Sequence, residues 1–426
     1  MPDLSLSLSL SLSLSLSLSL SLSLSLSLSP PPMCQIIFLD EHSKVVVLDP
    51  TWLGVQIFGP ALSPENSIIP QLKSVTGCVK LSTIQSVFPQ LDAISIAHLM
   101  EHFQLCTPLD ESRVSFLFPC LIKMQPLFGL WEKDPSFVVY AGITLECFSD
   151  IDIFSPSCFP RIALCARQIF PDDIDDQELT LWSDGFKCCR GEVEIQVQQR
   201  KPHKTIEILV RGTEETRLEC HGLLQQFYTV AINTIRHTNP GTRFTTSVLS
   251  SKLLQEHKDP VSYSAIDVFE AERGEGVLRH PQLPGIEESI VDIVCCGCQS
   301  LLIVAKSAPY SSICNLPIQT RIELSHLLDS PHPFGRDWCL LALQMEITDE
   351  VPMIHEAKDR ASPTDKLLAV WEKSVNSSAV TVIDALRSIG REDAARVIIE
   401  GLPLFSNTNN SVVISIPGVP VSSYVC

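Results

Sequence analysis

Apolar positions along the 426-residue chain change period twice. Between Leu81 and Leu105, Ile84, Val87, Leu91, Ile94, Leu99 and Phe103 recur at helical spacing, which predicts two helices parted near Pro89. From Val193 the period falls to two. Val193, Ile195 and Val197, then Ile206, Ile208 and Val210, alternate with polar residues around Arg200-Lys201-Pro202-His203-Lys204, the pattern of a β-hairpin with one buried face. Short apolar runs at Cys34 to Leu39, Lys44 to Leu48, Phe137 to Tyr140, Ile162 to Cys165, Thr180 to Trp182, Ile293 to Cys296 and Leu301 to Val304 predict further strands. Asp49-Pro50 opens a helix carrying Trp52, Leu53 and Ile57, and Cys220 to Ile235 predicts another.

Beyond Ile318 the helical period returns and holds to Leu404, with room for six helices. The first covers roughly Ile318 to Leu328. The second follows Gly335 with Trp338, Leu341, Ala342 and Met345 on one stripe, and the third is short, around Val351 to Ala357. The fourth has Ser362 as N-cap, Pro363 at the first helical position and Asp365 placed for an approximate capping box, with Leu367, Leu368, Trp371 and Val375 inward. The fifth uses Val382, Ile383, Leu386 and Ile389 and stops at Gly390; the sixth uses Ala394, Ala395, Ile398 and Leu402 and stops at Gly401, before Pro403. The core expected of this bundle is Trp338, Leu341, Leu368, Trp371, Leu386 and Ile398.

Composition adds limits. With 31 Lys plus Arg against 49 Asp plus Glu the net charge is -18, which argues against broad binding to nucleic acid or anionic membrane and leaves basic protein surfaces as partners. Leu and Ser alternate from Leu4 to Ser29, a low-complexity repeat expected to be disordered. It lacks the basic start of a signal peptide and the unbroken apolar run of a membrane span. Such alternation is what a CT dinucleotide repeat yields in translation, so the expected reading is a truncated gene product. The 16 Cys are read as reduced cytoplasmic thiols, including Cys188, Cys189, Cys296 and the pair Cys295 and Cys298, and the sequons at Asn376 and Asn409 are discounted with them.

Three segments invite chemistry. His98, Glu101 and His102 match the H-x-x-E-H order in which two imidazoles one turn apart hold zinc and a carboxylate activates water, a remote hydrolase reading set against a solvated helix face without a third ligand. The acidic run Asp172-Asp173-Ile174-Asp175-Asp176-Gln177-Glu178 lacks the Gly and the terminal Glu of a calcium loop. The basic hairpin turn suits either a phosphate contact or plain solvation. No P-loop, dinucleotide fingerprint, nucleophile elbow or kinase H-R-D and D-F-G signature occurs, so no cofactor and no complete active site are expected.

At the carboxyl end, Gly335-Arg336-Asp337-Trp338-Cys339-Leu340-Leu341-Ala342, Leu367-Leu368-Ala369-Val370-Trp371 and Leu386-Arg387-Ser388-Ile389-Gly390-Arg391-Glu392-Asp393-Ala394-Ala395 resemble the death-domain pattern, in order. Val47-Leu48-Asp49-Pro50-Thr51-Trp52-Leu53 with Leu62-Ser63 resembles the start of the COR region of the death-associated protein kinases. The resemblance implies an α+β multidomain chain: the repeat over 1–33, a mainly helical COR-like half over 34–130, a β-rich COR-like half over 131–315, a six-helix death domain over 316–405 and a flexible tail over 406–426. It implies a cytoplasmic signalling adaptor in apoptosis, not an enzyme in this chain, whose partners are death-domain proteins, with homo-oligomers through either region. The alternatives are a COR-mediated dimerisation scaffold and a fragment of a serine/threonine kinase whose kinase, ankyrin and Roc domains are missing. Partner contacts are expected at the acidic residues Asp349, Glu350, Glu356 and Asp359 and the basic residues Lys366, Lys373, Arg387 and Arg391. A PDZ-type ligand at Tyr424-Val425-Cys426 is a minor alternative.

Overall fold

A computed structural model describes residues 37–38, 46–47, 50–58, 76–126, 131–170, 177–280, 285–301, 313, 316–356, 361–374, 377–402 and 404–405. The Leu-Ser repeat, the acidic residues 172–176, the strand expected at 302–304, Ala357, Val375, both sequons and the tail from 406 lie outside the described residues.

The first apolar core gathers around short elements. Strand β1 (Ile37–Phe38) pairs with β2 (Val46–Val47), and helix α1 (Pro50–Trp52) runs on into a wider π-type turn over Leu53–Phe58. Strand β3 (Cys78–Lys80) leads into α2 (Leu81–Val87) and α3 (Ala93–His102), followed by β4 (Thr107–Pro108) and β5 (Ser115–Leu117). The two helices part at Pro89 because proline has no amide to donate, and Asp92 restarts the chain by accepting from Ser95 N at 2.9 Å. Leu53, Ile57, Ile84, Ile96, Met100 and Phe116 pack together over the antiparallel sheet β3-β5-β4. The section expected to be mainly helical thus carries a small sheet whose strands are too short to show a period.

The middle of the chain is one seven-stranded antiparallel sheet. It is built from β6 (Val139–Cys147), β7 (Gln177–Trp182), β8 (Gly185–Arg190), β9 (Val193–Lys201), β10 (Thr205–Gly212), β11 (Phe244–Leu249) and β12 (Ser262–Ser264), ordered β12-β11-β6-β10-β9-β8-β7. Register follows the alternation: Ile208 stands opposite Val197 on one side and Ile143 on the other, all three fully buried. That face packs under α4 (Cys158–Ile169) and the 22-residue α5 (Arg217–Thr238), where Phe186 and Phe227 lie 5.7 Å apart. Helices α6 (Ser251–Gln255), α7 (Ala265–Arg273) and α8 (Ile290–Cys295) and the hairpin β13 (Val277–Arg279) with β14 (Glu287–Ser289) complete this section.

Two strand expectations fail here. Ile162 to Cys165 lies within α4 and Ile293 to Cys295 within α8, with Cys296 as its cap; runs of four apolar residues carry no period, and context decides. For α8 the context is Ser289, which accepts from Val291 N, and Cys296, which ends the helix at φ 50°. Strand β6 begins two residues later than expected and runs to Cys147. Its Gly142 lets β10 and β11 close in, since a Cβ there would sit 2.8 Å from Leu209 and 3.0 Å from Leu249.

On the opposite face the sheet is charged. Arg211, nearly enclosed, pairs with Glu194 at 2.6 Å, donates to the carbonyl of Glu132 at 2.6 Å and lies 4.4 Å over the ring of Trp131 and 4.5 Å over that of Phe137. Lys187 reaches the other side of Glu194 at 2.9 Å.

The carboxyl-terminal helices are α9 (Ile318–Leu328), α10 (Trp338–Gln344), α11 (Val351–Glu356), α12 (Pro363–Glu372), α13 (Ala379–Ser388) and α14 (Glu392–Gly401). Asp337, Ser362 and Ser378 cap α10, α12 and α13, each accepting from a first-turn amide. Gly390 takes the left-handed conformation at φ 76°, two residues past α13. Gly401 is where the last helix stops, as spacing predicts, but without the left-handed conformation of Gly390. It is the last residue of α14, and its missing side chain admits Thr320 of α9, whose Oγ1 would lie 2.4 Å from a Cβ.

Replacing Arg211 with Met removes a buried cation and leaves Glu194 with Lys187, so the chain should lose about 3 kcal/mol of stability in urea unfolding. A loss below about 1 kcal/mol would mean that this pair does not anchor the polar face.

Candidate interaction surface

The charged positions expected to contact partners lie along α10 to α14, and folding divides them sharply. Asp349 is exposed in the turn before α11, where it accepts from Thr348 Oγ1 at 3.5 Å, and Glu350 beside it is half-buried. Glu356 ends α11, and Asp359 lies outside the described residues. Lys366 is half-buried on α12. Lys373 follows the last turn of that helix and is exposed.

Arg391 is not a surface residue. It is 5% exposed, and its guanidinium donates to Asp393 through Nε and Nη2, each at 2.9 Å, to the carbonyl of Arg336 at 2.7 Å and to that of Leu327 at 2.8 Å. It thereby joins the end of α9, the loop before α10 and the start of α14. Its expectation as a partner contact is corrected: the long stem carries the charge inward to carbonyls 55 and 64 residues away in sequence. Hydrogen bonds from Arg391 also hold the Asp393 carboxyl below the usual carboxylate range.

Arg387 is also engaged, through Glu270 of α7 and through Glu392, whose Oε2 lies 3.2 Å from its Nε. Beneath these charges Trp338, Leu341, Leu368, Leu386 and Ile398 are buried. Trp371 is only half-buried, its Nε1 donating to the carbonyl of Ser378 at 3.4 Å. Sequence spacing did not single out Arg321 of α9, which clamps α12 by pairing with Asp365 at 3.2 Å and with Glu372. No local pattern signals that clamp, because its partners are 44 and 51 residues distant.

The other candidate segments are committed within the fold. Arg113 pairs with Glu101 and its Nη2 lies 3.3 Å from His98 Nδ1, so two of the three side chains of the H-x-x-E-H segment on α3 are engaged by a guanidinium. Among the described residues no cluster of three or more His, Cys, Asp or Glu could hold a metal ion. In the basic hairpin turn, Arg200 pairs with Glu207 and Lys201 with Glu146, each near 2.9 Å, and Lys204 donates to the carbonyls of Ser149, Asp150 and Asp152. Burial pushes the Cys295 thiol up to about 12, so it stays neutral at ordinary pH, and both Cys295 and Cys298 are free thiols. No described helix is long and apolar enough to cross a membrane.

Residues 321–402 match the Death domain family. A curated relative, the death-associated protein kinase dapk-1 of Caenorhabditis elegans, is 27% identical over 375 residues, which cover 85% of this chain. The chain spans about a quarter of the length of that relative, 26%.

Arg391→Ala should therefore lower stability by about 3 kcal/mol, since it strips four hydrogen bonds from buried or capping positions, whereas Lys373→Glu should change it by less than about 0.5 kcal/mol. Because the folded Asp393 carboxyl titrates low, its contribution is present above the unfolded carboxylate pKa and is lost as the pH falls through the folded value. Urea unfolding across the acid range should show that Arg391→Ala flattens this limb; an unchanged acid limb would assign Arg391 a purely packing role.

Proposed function

We propose that this chain is a cytoplasmic signalling adaptor that acts through protein-protein interaction of its death domain in apoptosis or related signal transduction. The observation that carries the reading is the match over 321–402, which coincides with a helical unit having its own buried core around Leu341, Leu367, Leu386 and Ile398. A rigid bundle with charges at fixed positions needs no catalytic centre to recognise another bundle, because complementary charge sets orientation and encounter rate. The reading assigns this chain no catalytic step.

The finer assignment is that 34–130 and 131–315 form two COR-like halves before a six-helix death domain over 316–405. Two facts support it. The alignment with the nematode kinase extends far upstream of the death domain, and the described residues fall into three main apolar clusters, around Ile96, around Ile208 and around Leu386. Partners in this reading are other death-domain proteins and further copies of the chain.

Of the residues proposed for partner contact, Asp349 and Lys373 remain as exposed charges of opposite sign, flanked by Glu350 and Lys366. The double variant Asp349→Lys with Lys373→Glu should capture immobilised death domains about tenfold more weakly than the wild type in low salt, with the difference shrinking in high salt. Equal capture by both proteins at low salt would remove this surface from the reading.

A further inference from the structure

Helix α7 belongs to two cores at once. A full capping box fixes its start, with Ser264 Oγ accepting from Asp267 N at 3.2 Å and the Asp267 carboxylate accepting from Ser264 N at 2.8 Å. Val268 and Ala271 are then buried in the core of the large sheet. Ala265 and Phe269, four residues apart and so on one face, are buried in the core of the carboxyl-terminal helices.

Charged residues surround Phe269 in a crossed arrangement. Arg273 of α7 pairs in bidentate fashion with Asp384 of α13, at 2.6 and 3.1 Å, while Glu270 of α7 pairs with Arg387 of α13. Both guanidiniums lie over the phenyl ring, Arg273 at 5.5 Å and Arg387 at 5.6 Å from its centroid. Glu270 and Arg273 are three residues apart, as are Asp384 and Arg387, so an acid-base pair on one helix meets a base-acid pair on the other. Two further contacts hold the units together. Arg243 lies 3.4 Å from Glu323 of α9, and Phe405, beyond α14, returns to the sheet core edge-on to His221 and Tyr228 at 5.3 and 5.4 Å.

An acid and a base three residues apart on one helix face form a self-complementary surface. Two copies brought together about a two-fold axis would set Asp384 of each against Arg387 of the other. In the closed chain α7 already satisfies both residues, and Phe269 fills the space between them.

We propose that α7 is an intramolecular cover on a death-domain face made by Asp384, Arg387 and Glu392, and that release of this cover lets a second copy of the chain bind through the same face. The proposal rests on the death-domain reading and adds regulation to it. The cover works by occupancy: while Glu270 and Arg273 hold the pair in the same chain, a second copy meets a face whose charges are spent. Glu270, Arg273 and Asp384 are each about half exposed, so the pairs are individually weak and open readily, whereas the buried ring of Phe269 gives the closed state its position.

The test uses the full chain. Glu270→Arg with Arg273→Glu turns both attractions into repulsions while leaving the death-domain face untouched. Amide exchange over 265–273 and 379–388 should quicken about tenfold, and sedimentation equilibrium should show self-association about tenfold tighter. Adding Asp384→Arg and Arg387→Glu restores pairing with α7 with the signs exchanged, at the expense of the Arg387–Glu392 pair, and should return both readouts most of the way to wild type. Should the reversal unfold the chain by circular dichroism, Glu270→Gln with Arg273→Gln removes the attraction without repulsion and is expected to move both readouts in the same direction by a smaller factor. Unchanged exchange overturns the cover. Faster exchange without tighter self-association overturns the self-complementary face, and failure of the four-residue swap to restore closure overturns the pairing. Each of these results leaves capture through Asp349 and Lys373 as measured, so failure of the cover is distinguishable from failure of the death-domain reading.

Discussion

The strict two-residue alternation on β6, β9 and β10 is the constraint on which the other contacts depend. Ile143, Leu145, Val193, Ile195, Val197, Ile206, Ile208 and Val210 all face one side and are fully buried there. The intervening Glu194, Glu207 and Arg211 face the other. A slip of one residue would drive three charges into the apolar core and expose the aliphatics together, so the register has no near competitor. With register fixed, α4 and α5 have one surface to cover, and α5 presents Phe227 to Phe186 and Tyr228 to Phe405. Through Phe405 at one end and α7 at the other, the sheet core sets where the carboxyl-terminal helices sit.

Legibility in the sequence follows how local each signal is. The hairpin of β9 and β10, the break at Pro89 and the start of α12 at Ser362-Pro363 depend on residues within one turn or one strand pair, and spacing shows them. Ile162 to Cys165 and Ile293 to Cys296 belong to helices and a helix cap; four consecutive apolar residues suit a buried strand and a buried helix equally. Gly142 concealed most of β6, for a glycine inside an apolar run weakens the strand signal even where close packing of Leu209 and Leu249 requires it. Gly401 ends α14 where spacing predicts, yet what it supplies there is room for Thr320 of another helix and not a left-handed cap.

The candidate surface was harder to read because charge alone does not say which way a long side chain turns. Arg387, Arg391 and Lys373 look alike in sequence. In the fold, Arg391 closes the bundle from within, Arg387 reaches α7, and Lys373 remains exposed. Cations are the scarcer sign in this acidic chain, 31 against 49, and Arg211, Arg217, Arg273, Arg321, Arg387 and Arg391 are each held by a carboxylate. The few basic side chains that stay at the surface of the bundle therefore weigh heavily in any recognition that depends on charge sign.

The double membership of α7 has a thermodynamic consequence that its individual contacts do not show. A helix packed into two cores cannot leave one without strain in the other, so the carboxyl-terminal bundle and the sheet are coupled through Ala265, Phe269, Val268 and Ala271. For a face closed in this way, apparent affinity for a partner falls by the fraction of molecules that are open. The weak outer pairs make that fraction responsive to salt, to nearby charge and to a competing surface, while Phe269 guides return to the closed state. Apolar burial and half-exposed ion pairs thus divide the work: the first sets where the bundle docks, the second sets how easily it lets go.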